Sequence, residues 1–263
     1  MHKRVFTRLL LALSLALATM SSAVAQSTVA IVNAASFAPN FPVAPGSWAS
    51  AFGDFASVGV STETFNGVAP IPAMLGGVEI LIDGAAVPLN YVGPGQINFI
   101  VPFSTPVSGL GSPSTFVVRV SGIPTYDGAI NIIQASPGFF TVDGEAAAAL
   151  NQDNSLNSPS NPAAPGSIVQ FFATGHGPLS VTPETGAAAS ADPLVLTTGD
   201  LEAYVQATQA TVEFSGLAPN FASLWQVNIR LPATLPVTAE GTVAVFIKLN
   251  GLGSKPVAIY VQN

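Results

Sequence analysis

The chain carries one pattern of turns and strands twice, in the same order, and this restricts it to folds that can be built by repetition. Val43-Ala44-Pro45-Gly46-Ser47 leads into an apolar run ending at Phe52-Gly53, and it returns as Ala163-Ala164-Pro165-Gly166-Ser167 with a run ending at Phe172-Ala173-Thr174-Gly175. Gln96-Ile97-Asn98-Phe99-Ile100-Val101-Pro102 returns as Gln226-Val227-Asn228-Ile229-Arg230-Leu231-Pro232. Between these anchors Val78-Glu79-Ile80 matches Leu201-Glu202-Ala203, and Tyr91-Val92-Gly93 matches Phe214-Ser215-Gly216. The second copy inserts one extra turn around Leu217-Ala218-Pro219-Asn220. Each copy closes alike, with Gly122 answering Gly251 and Ile132-Ile133-Gln134 answering Tyr260-Val261-Gln262.

The apolar segments are short, rich in Val, Ile and Phe, and bounded by Gly, Pro, Asn or Asp, which is the signature of strands. The first copy predicts strands at Val29 to Val32, Ser47 to Phe52, Val78 to Ile82, Val87 to Val92, Ile97 to Val101, Phe116 to Val120 and Ala129 to Ile133. The second predicts them at Ala147 to Leu150, Ile168 to Ala173, Glu202 to Gln206, Ala210 to Ser215, Val227 to Leu231, Val243 to Leu249 and Val257 to Gln262. Seven short strands per copy predict an all-β chain of two tandem immunoglobulin-like antiparallel β-sandwich lobes, residues 26–142 and 143–263, related by the repeat. The hinge is expected between Pro137-Gly138 and Glu145, short enough for the lobes to touch. In each Ala-Pro-Gly-Ser, proline presets one turn dihedral and glycine accepts a positive one, the chemistry of a type II turn. Ser136-Pro137-Gly138 and Gly93-Pro94-Gly95 carry the same signal.

Residues 1–25 read as a secretory signal peptide: a basic start at His2, Lys3, Arg4 and Arg8, an apolar core from Leu9 to Ala18, and the small-residue site Ala23-Val24-Ala25. The expected destination is the periplasm or the exterior. The apolar core falls short of the ~20 residues that span a bilayer, and no comparable run follows, so no membrane span is expected in the mature chain. Cleavage leaves Arg119, Arg230, Lys248 and Lys255 against 14 acidic residues, a net charge of −10. With no basic cluster to displace counterions from phosphates, nucleic acid is not an expected partner. Charged residues make up 8% of the chain, against ~25% in ordinary soluble domains, so Ser, Thr, Asn and Gln must wet much of the surface. The chain has no cysteine, so neither a disulfide nor a thiolate is available, and stability must come from packing.

Asn33-Ala34-Ala35-Ser36-Phe37, Val43-Ala44-Pro45-Gly46, Leu75-Gly76-Gly77-Val78 and Tyr91-Val92-Gly93-Pro94-Gly95-Gln96-Ile97-Asn98 form the first part of a longer string. It continues through Pro137-Gly138-Phe139-Phe140-Thr141, Ala148-Ala149-Leu150-Asn151-Gln152-Asp153, Asn161-Pro162-Ala163, Ala173-Thr174-Gly175, Gly216-Leu217-Ala218-Pro219 and Gln226-Val227-Asn228. Taken together, the chain resembles the Solibacter-type uncharacterised C-terminal domain family of secreted bacterial proteins. The resemblance implies an exported, two-lobed β module with no assigned activity and no catalytic motif to carry over. His176 stands where that family more often has an aliphatic residue, in Ala-Thr-Gly-x-Gly-Pro.

Four features could carry chemistry. His176, between Gly175 and Gly177, is the single histidine after the leader, and no Gly-x-Ser-x-Gly nucleophile elbow accompanies it, so the expected reading is a surface or loop histidine. Asn151, Asp153, Asn154 and Asn157 offer the oxygens that calcium takes, yet lack the EF-hand glycine and glutamate, which favours an Asx-rich turn over a metal site. Trp48 and Trp225 could stack on sugar rings. Trp225 shares a strand face with Val227, Ile229 and Leu231, and Trp48 aligns with Ile168, so both are expected in the core.

Gln96 and Asn98, repeated as Gln226 and Asn228, are the sharpest polar signal, because each pair projects from one face of a strand whose other face is apolar. They form the candidate interaction surface; the competing expectation, which is favoured, is that they satisfy groups within the fold. The functional expectation is an exported, non-enzymatic adhesion or binding module, with an extracellular polysaccharide or an envelope protein as partner and no cofactor. A structural spacer ranks next and a hydrolase last. The leader predicts that the secreted protein begins at Gln26, so intact-mass measurement should find residues 1–25 missing, and an exported chain that retains them would contradict this reading.

Overall fold

The computed structural model describes residues 29–39, 41–108 and 112–262; the expected signal peptide lies outside them. The fold is all-β, its one helical element being the 3-10 turn Ala56–Val58. The strands of the first half are β1 (Ala30–Asn33), β2 (Trp48–Phe52), β3 (Glu63–Thr64), β4 (Val78–Ile82), β5 (Ala85–Ala86), β6 (Leu89–Val92), β7 (Gln96–Ile100), β8 (Ser114–Val120) and β9 (Ile123–Ile130). Those of the second are β10 (Gly138–Phe139), β11 (Ala149–Leu150), β12 (Ile168–Thr174), β13 (Leu201–Val205), β14 (Thr208–Leu217), β15 (Trp225–Arg230), β16 (Thr242–Leu249), β17 (Leu252–Gly253) and β18 (Val257–Tyr260). All pairings between these strands are antiparallel.

In the first half one sheet has the order β1-β2-β7-β6-β3 and another the order β5-β4-β8-β9. Both contribute to one buried cluster, which joins Ala49, Ala51, Leu89, Ile97 and Phe99 to Val78, Ile80, Ile82, Phe116 and Val118. A second cluster, from Ala135 to Val261, holds Phe171, Trp225, Val227, Ile229, Val245 and Ile247. The chain passes from one core to the other between Ile132 and Ala135.

The repeat holds at the level of register. Phe52 faces Gln96 and Ser50 faces Asn98, as Phe172 faces Gln226 and Gln170 faces Asn228. Tyr91 opposes Asn98 as Phe214 opposes Asn228, and both strand pairs are interrupted by a bulge one residue earlier, at Asn90 and at Glu213. Ser121-Gly122 and Asn250-Gly251 make equivalent tight turns, with positive φ at all four residues, the geometry of a two-residue hairpin. The Ala-Pro-Gly-Ser segments are the expected turns: Gly46 and Gly166 have φ of 72° and 79°. The amides of Ser47 and Ser167 each donate to the alanine carbonyl three residues back, both at 3.1 Å.

Several expectations are corrected. Gly138 enters β10 opposite Thr174 rather than closing a type II turn, and neither it nor Gly95 has a positive φ. The strand expected at Ala129 to Ile133 is β9, Ile123–Ile130, which begins at the Ser121-Gly122 turn; Pro124 hid it, and is tolerated because β9 is an edge. At the end of each half, bridges pair Val43 with Ile132 and Ala163 with Val261, so Ile132 answers Val261, one residue away from the expected match. A slip of one residue reverses the faces of a strand, and this register puts both residues in their cores.

The halves differ at Pro88. In the first half Val87-Pro88 separates β5 from β6, whereas β14 runs through the equivalent Thr211 without a break. Proline has no amide hydrogen for a ladder, and its absence from the second half lets β14 link β15 with β13 in one nine-stranded sheet.

The halves are tied by hydrogen bonds. Asn33 Nδ2 donates to the Ser136 carbonyl at 2.7 Å, the Trp48 amide to Thr174 Oγ1 at 2.7 Å, the Phe103 amide to Thr185 Oγ1 at 3.1 Å and the Ile71 amide to the Gly186 carbonyl at 3.0 Å. Gly175 lies at the tightest point: its φ is +80° and a Cβ would sit 1.7 Å from the Ser136 carbonyl oxygen. Gly175→Ala should therefore lower stability by roughly 2–4 kcal/mol, the scale of overpacking plus a strained dihedral. Gly128→Ala, with open space around it in β9, should stay within about 0.5 kcal/mol. Thermal denaturation of both variants checks this, and equal midpoints would refute it.

Candidate functional site: a groove at the junction of the halves

Period-two alternation along β2 and β7 sends Ala49, Ala51, Ile97 and Phe99 into the core and Ser50, Gln96 and Asn98 to the opposite face. On that face Ser50 Oγ and Gln96 Nε2 both donate to Asn98 Oδ1, at 2.8 and 2.7 Å. The second half repeats the arrangement, with Gln226 Nε2 donating to Asn228 Oδ1 at 2.9 Å and to Gln170 Oε1 at 3.3 Å. The four amides singled out in the sequence are thus bonded in pairs within their own sheets.

Their surroundings separate the pairs. Gln96 and Asn98 lie in a groove of about 740 Å³, whereas Gln226 and Asn228 do not. The groove wall includes Phe37 from the turn after β1, Trp48 from β2, the loop Phe65–Ile71 after β3, and Asn90 at the bulge of β6. The second half contributes Phe140, Thr141 and the segment Asn220–Leu224. That last segment follows directly from the insertion that distinguishes the second copy. It is closed by a bond from the Ala218 amide to the Leu224 carbonyl at 2.7 Å, with positive φ at Asn220 and Ser223. Trp48 Nε1 donates to the Ala222 carbonyl at 3.2 Å and joins the two walls.

Trp225 is fully buried as expected, with Nε1 donating to Ser215 Oγ at 2.9 Å. Trp48 is not in the core: it is half-buried and lines the groove. Alignment with Ile168 misled because Ile168 is itself half-buried on an outer face. The usable signal was the alternation Trp48-Ala49-Ser50-Ala51-Phe52, in which the small alanines face inward. Phe37, Phe65, Phe140 and Phe221 had no signal in the sequence, since they come from turns and loops that only the tertiary fold brings together. Phe37 and Phe221 are 49% and 58% exposed, high values for large apolar side chains gathered in one place.

His176 is not at the surface: it lies in a loop and is completely buried, covered where the halves meet. Its Nδ1 lies 2.6 Å from the Gly177 carbonyl oxygen, which requires a proton on Nδ1, and among the described residues Nε2 has no hydrogen-bond partner. Burial holds its pKa below the ordinary 6.5, against smaller opposing pulls from the Gly177 and Gly46 backbone.

The Asn151 to Asn157 segment is internally bonded. Asn151 Nδ2 donates to the Asn161 carbonyl at 2.9 Å, and Asn157 Nδ2 to Asn151 Oδ1 and the Tyr260 carbonyl at 2.9 and 2.8 Å. Asp153 Oδ1 accepts from the Ser155 hydroxyl and amide, and these bonds, the hydroxyl first, lower its pKa. Gln170 Nε2 donates to Asn154 Oδ1 at 2.7 Å. Asn151 Oδ1, Asp153 Oδ1, Asn154 Oδ1 and Asn157 Oδ1 thus each accept a hydrogen bond within the fold. In the first half the equivalent Asn33 caps its own turn, with Oδ1 accepting from the amides of Ala35 and Ser36 at 2.9 and 3.0 Å.

Because folding favours neutral His176, the unfolded chain takes up the proton first as pH falls. The stability tied to this group is fully present above pH 6.5 and is lost as pH falls from there through the lowered folded pKa, at no more than about 1.4 kcal/mol per pH unit. His176→Leu should flatten this limb, leaving only the carboxylate limb at lower pH. Melting temperatures of both proteins between about pH 7.5 and 5 check the prediction; parallel profiles would contradict it.

No model of a known protein family matches the chain, and no curated protein matches it. Among solved structures it is similar to a glycosyl hydrolase family 2 member from Bacteroides cellulosilyticus DSM 14838, at 12% identity and TM-score 0.22, over 89% of this chain and 28% of that one. It is also similar to the I9-I11 tandem of titin, at 9% identity and TM-score 0.22, over 84% of this chain and 62% of the other. The chain thus spans less than a third of the hydrolase's length and under two thirds of the titin tandem. Likeness this slight leaves function to the geometry of the groove.

Proposed function

We propose that the protein is an exported, non-enzymatic binding or adhesion module of two immunoglobulin-like β-sandwich lobes, which takes its ligand in the groove between them. The observation that carries this reading is the groove itself. It is a concave site of about 740 Å³, lined by aromatic side chains with a few convergent amides, the composition of ligand sites in general. The buried state of His176 supports the non-enzymatic reading, because it removes the one imidazole of the mature chain from contact with a substrate. The sparse charge of the chain, 8% of residues, suits recognition by apolar contact and neutral hydrogen bonds.

A structural spacer is the competing reading, and the hydrogen bonds that tie the two halves favour it, since a spacer must hold a fixed geometry. Retention of the processed protein on polysaccharide and envelope-protein fractions separates the two. A binding module is retained selectively, and Phe221→Ala, a change at an exposed groove residue, weakens retention about tenfold or more while leaving the melting temperature unchanged. Retention that is indifferent to Phe221, or no retention of a folded protein, would favour the spacer.

A further inference from the structure

We infer that the groove takes a neutral oligosaccharide, its rings stacked against the aromatic walls and its hydroxyl groups held by the amides of Asn90, Gln96 and Asn98. The inference rests on the binding-module reading and gives that site its ligand class.

Charge is the first argument. Among the described residues no Asp, Glu, Lys, Arg or His lines the groove, so a charged ligand would lose its hydration without gaining a counter-charge there. The second is unspent hydrogen-bonding capacity. Gln96 and Asn98 orient each other through the Nε2 to Oδ1 bond of 2.7 Å. Among the described residues this leaves Gln96 Oε1, an acceptor, and Asn98 Nδ2, a donor, without a partner. The Asn90 side chain likewise makes no hydrogen bond, because the residue engages the fold through its carbonyl, which accepts from the Phe65 amide at 2.8 Å. Neighbouring hydroxyls of a sugar both donate and accept, and an amide answers both.

The third argument discriminates against a peptide. The groove floor is the face of β2 and β7, and each of these strands is already paired on both sides. An extended peptide binds a sheet by adding to a free edge, where backbone groups satisfy one another, and this floor offers none. A sugar ring needs no backbone partner. Its apolar face can lie on an aromatic ring while its hydroxyls reach side-chain amides, and Trp48, Phe65 and Phe221 line the same groove as Asn90, Gln96 and Asn98.

The test uses the full processed protein and uncharged hexasaccharides of glucose, xylose and mannose, followed by calorimetry and intrinsic fluorescence. Trp225 is buried in the core, so a change in emission reports on Trp48. Binding of at least one neutral hexasaccharide is expected, with a change in emission and no competition from a galacturonate hexasaccharide. Asn90→Ala should weaken it about tenfold, the scale of one lost buried hydrogen bond, and should leave the melting temperature unchanged because its side chain bonds nothing in the fold. Phe221→Ala should weaken it comparably. Neutral sugars bound equally well by both variants, or bound by none of the proteins, overturn the inference. Retention of an envelope protein that depends on Phe221 but not on Asn90 would overturn the sugar while keeping the binding module; no Phe221-dependent ligand of any kind would remove both.

Discussion

The alternation of Gln96-Ile97-Asn98-Phe99 across a sheet is the constraint on which the rest depends. Ile97 and Phe99 are fully buried, and two such side chains contribute about 3–6 kcal/mol of burial between them. That commitment fixes which face of β7 meets the core, and so obliges Gln96 and Asn98 to face away from it. With no cysteine to brace the chain, this burial is a principal determinant of the register. The amides are presented because the hydrophobic effect has already decided the other face.

The junction between the halves turns this presentation into a site. In the second half the corresponding Gln226 and Asn228 share a sheet face with Gln170, Phe172 and Phe214 and lie outside the groove. The first-half pair instead meets the Asn220–Leu224 segment of the second half, which follows the insertion and to which Trp48 is bonded. Two copies of one pattern therefore come to different ends because each meets a different neighbour.

The strands were largely legible in the sequence, since short β-branched runs between Gly, Pro and Asn declare themselves locally, and the repeat supplied each reading twice. β9 was displaced because Pro124 reads as a breaker, and its tolerance depends on β9 being an edge, a tertiary fact. The candidate site was half legible. Gln96 and Asn98 stood out by recurrence, whereas Trp48 was placed inside because an apolar residue aligned with another apolar residue looks like core. Phe37, Phe65, Phe140 and Phe221 lie far apart in the chain, in turns and loops with no periodicity to read. Their convergence follows from how the halves dock, which is encoded in single bonds such as Asn33 to Ser136 rather than in a pattern.

Pro88 and its counterpart Thr211 have a further consequence. In the second half β14 is bonded to β13 on one stretch and to β15 on another, so the two layers cannot part without stripping partners from a single ten-residue strand. In the first half the layers are joined there through Val87-Pro88 alone. The first-half sheets share one buried core instead of a strand, so their union rests on packing across that core, whereas the second half adds a continuous strand to its packing. The groove is thus walled on one side by layers stitched through a shared strand and on the other by two sheets that meet across a common core.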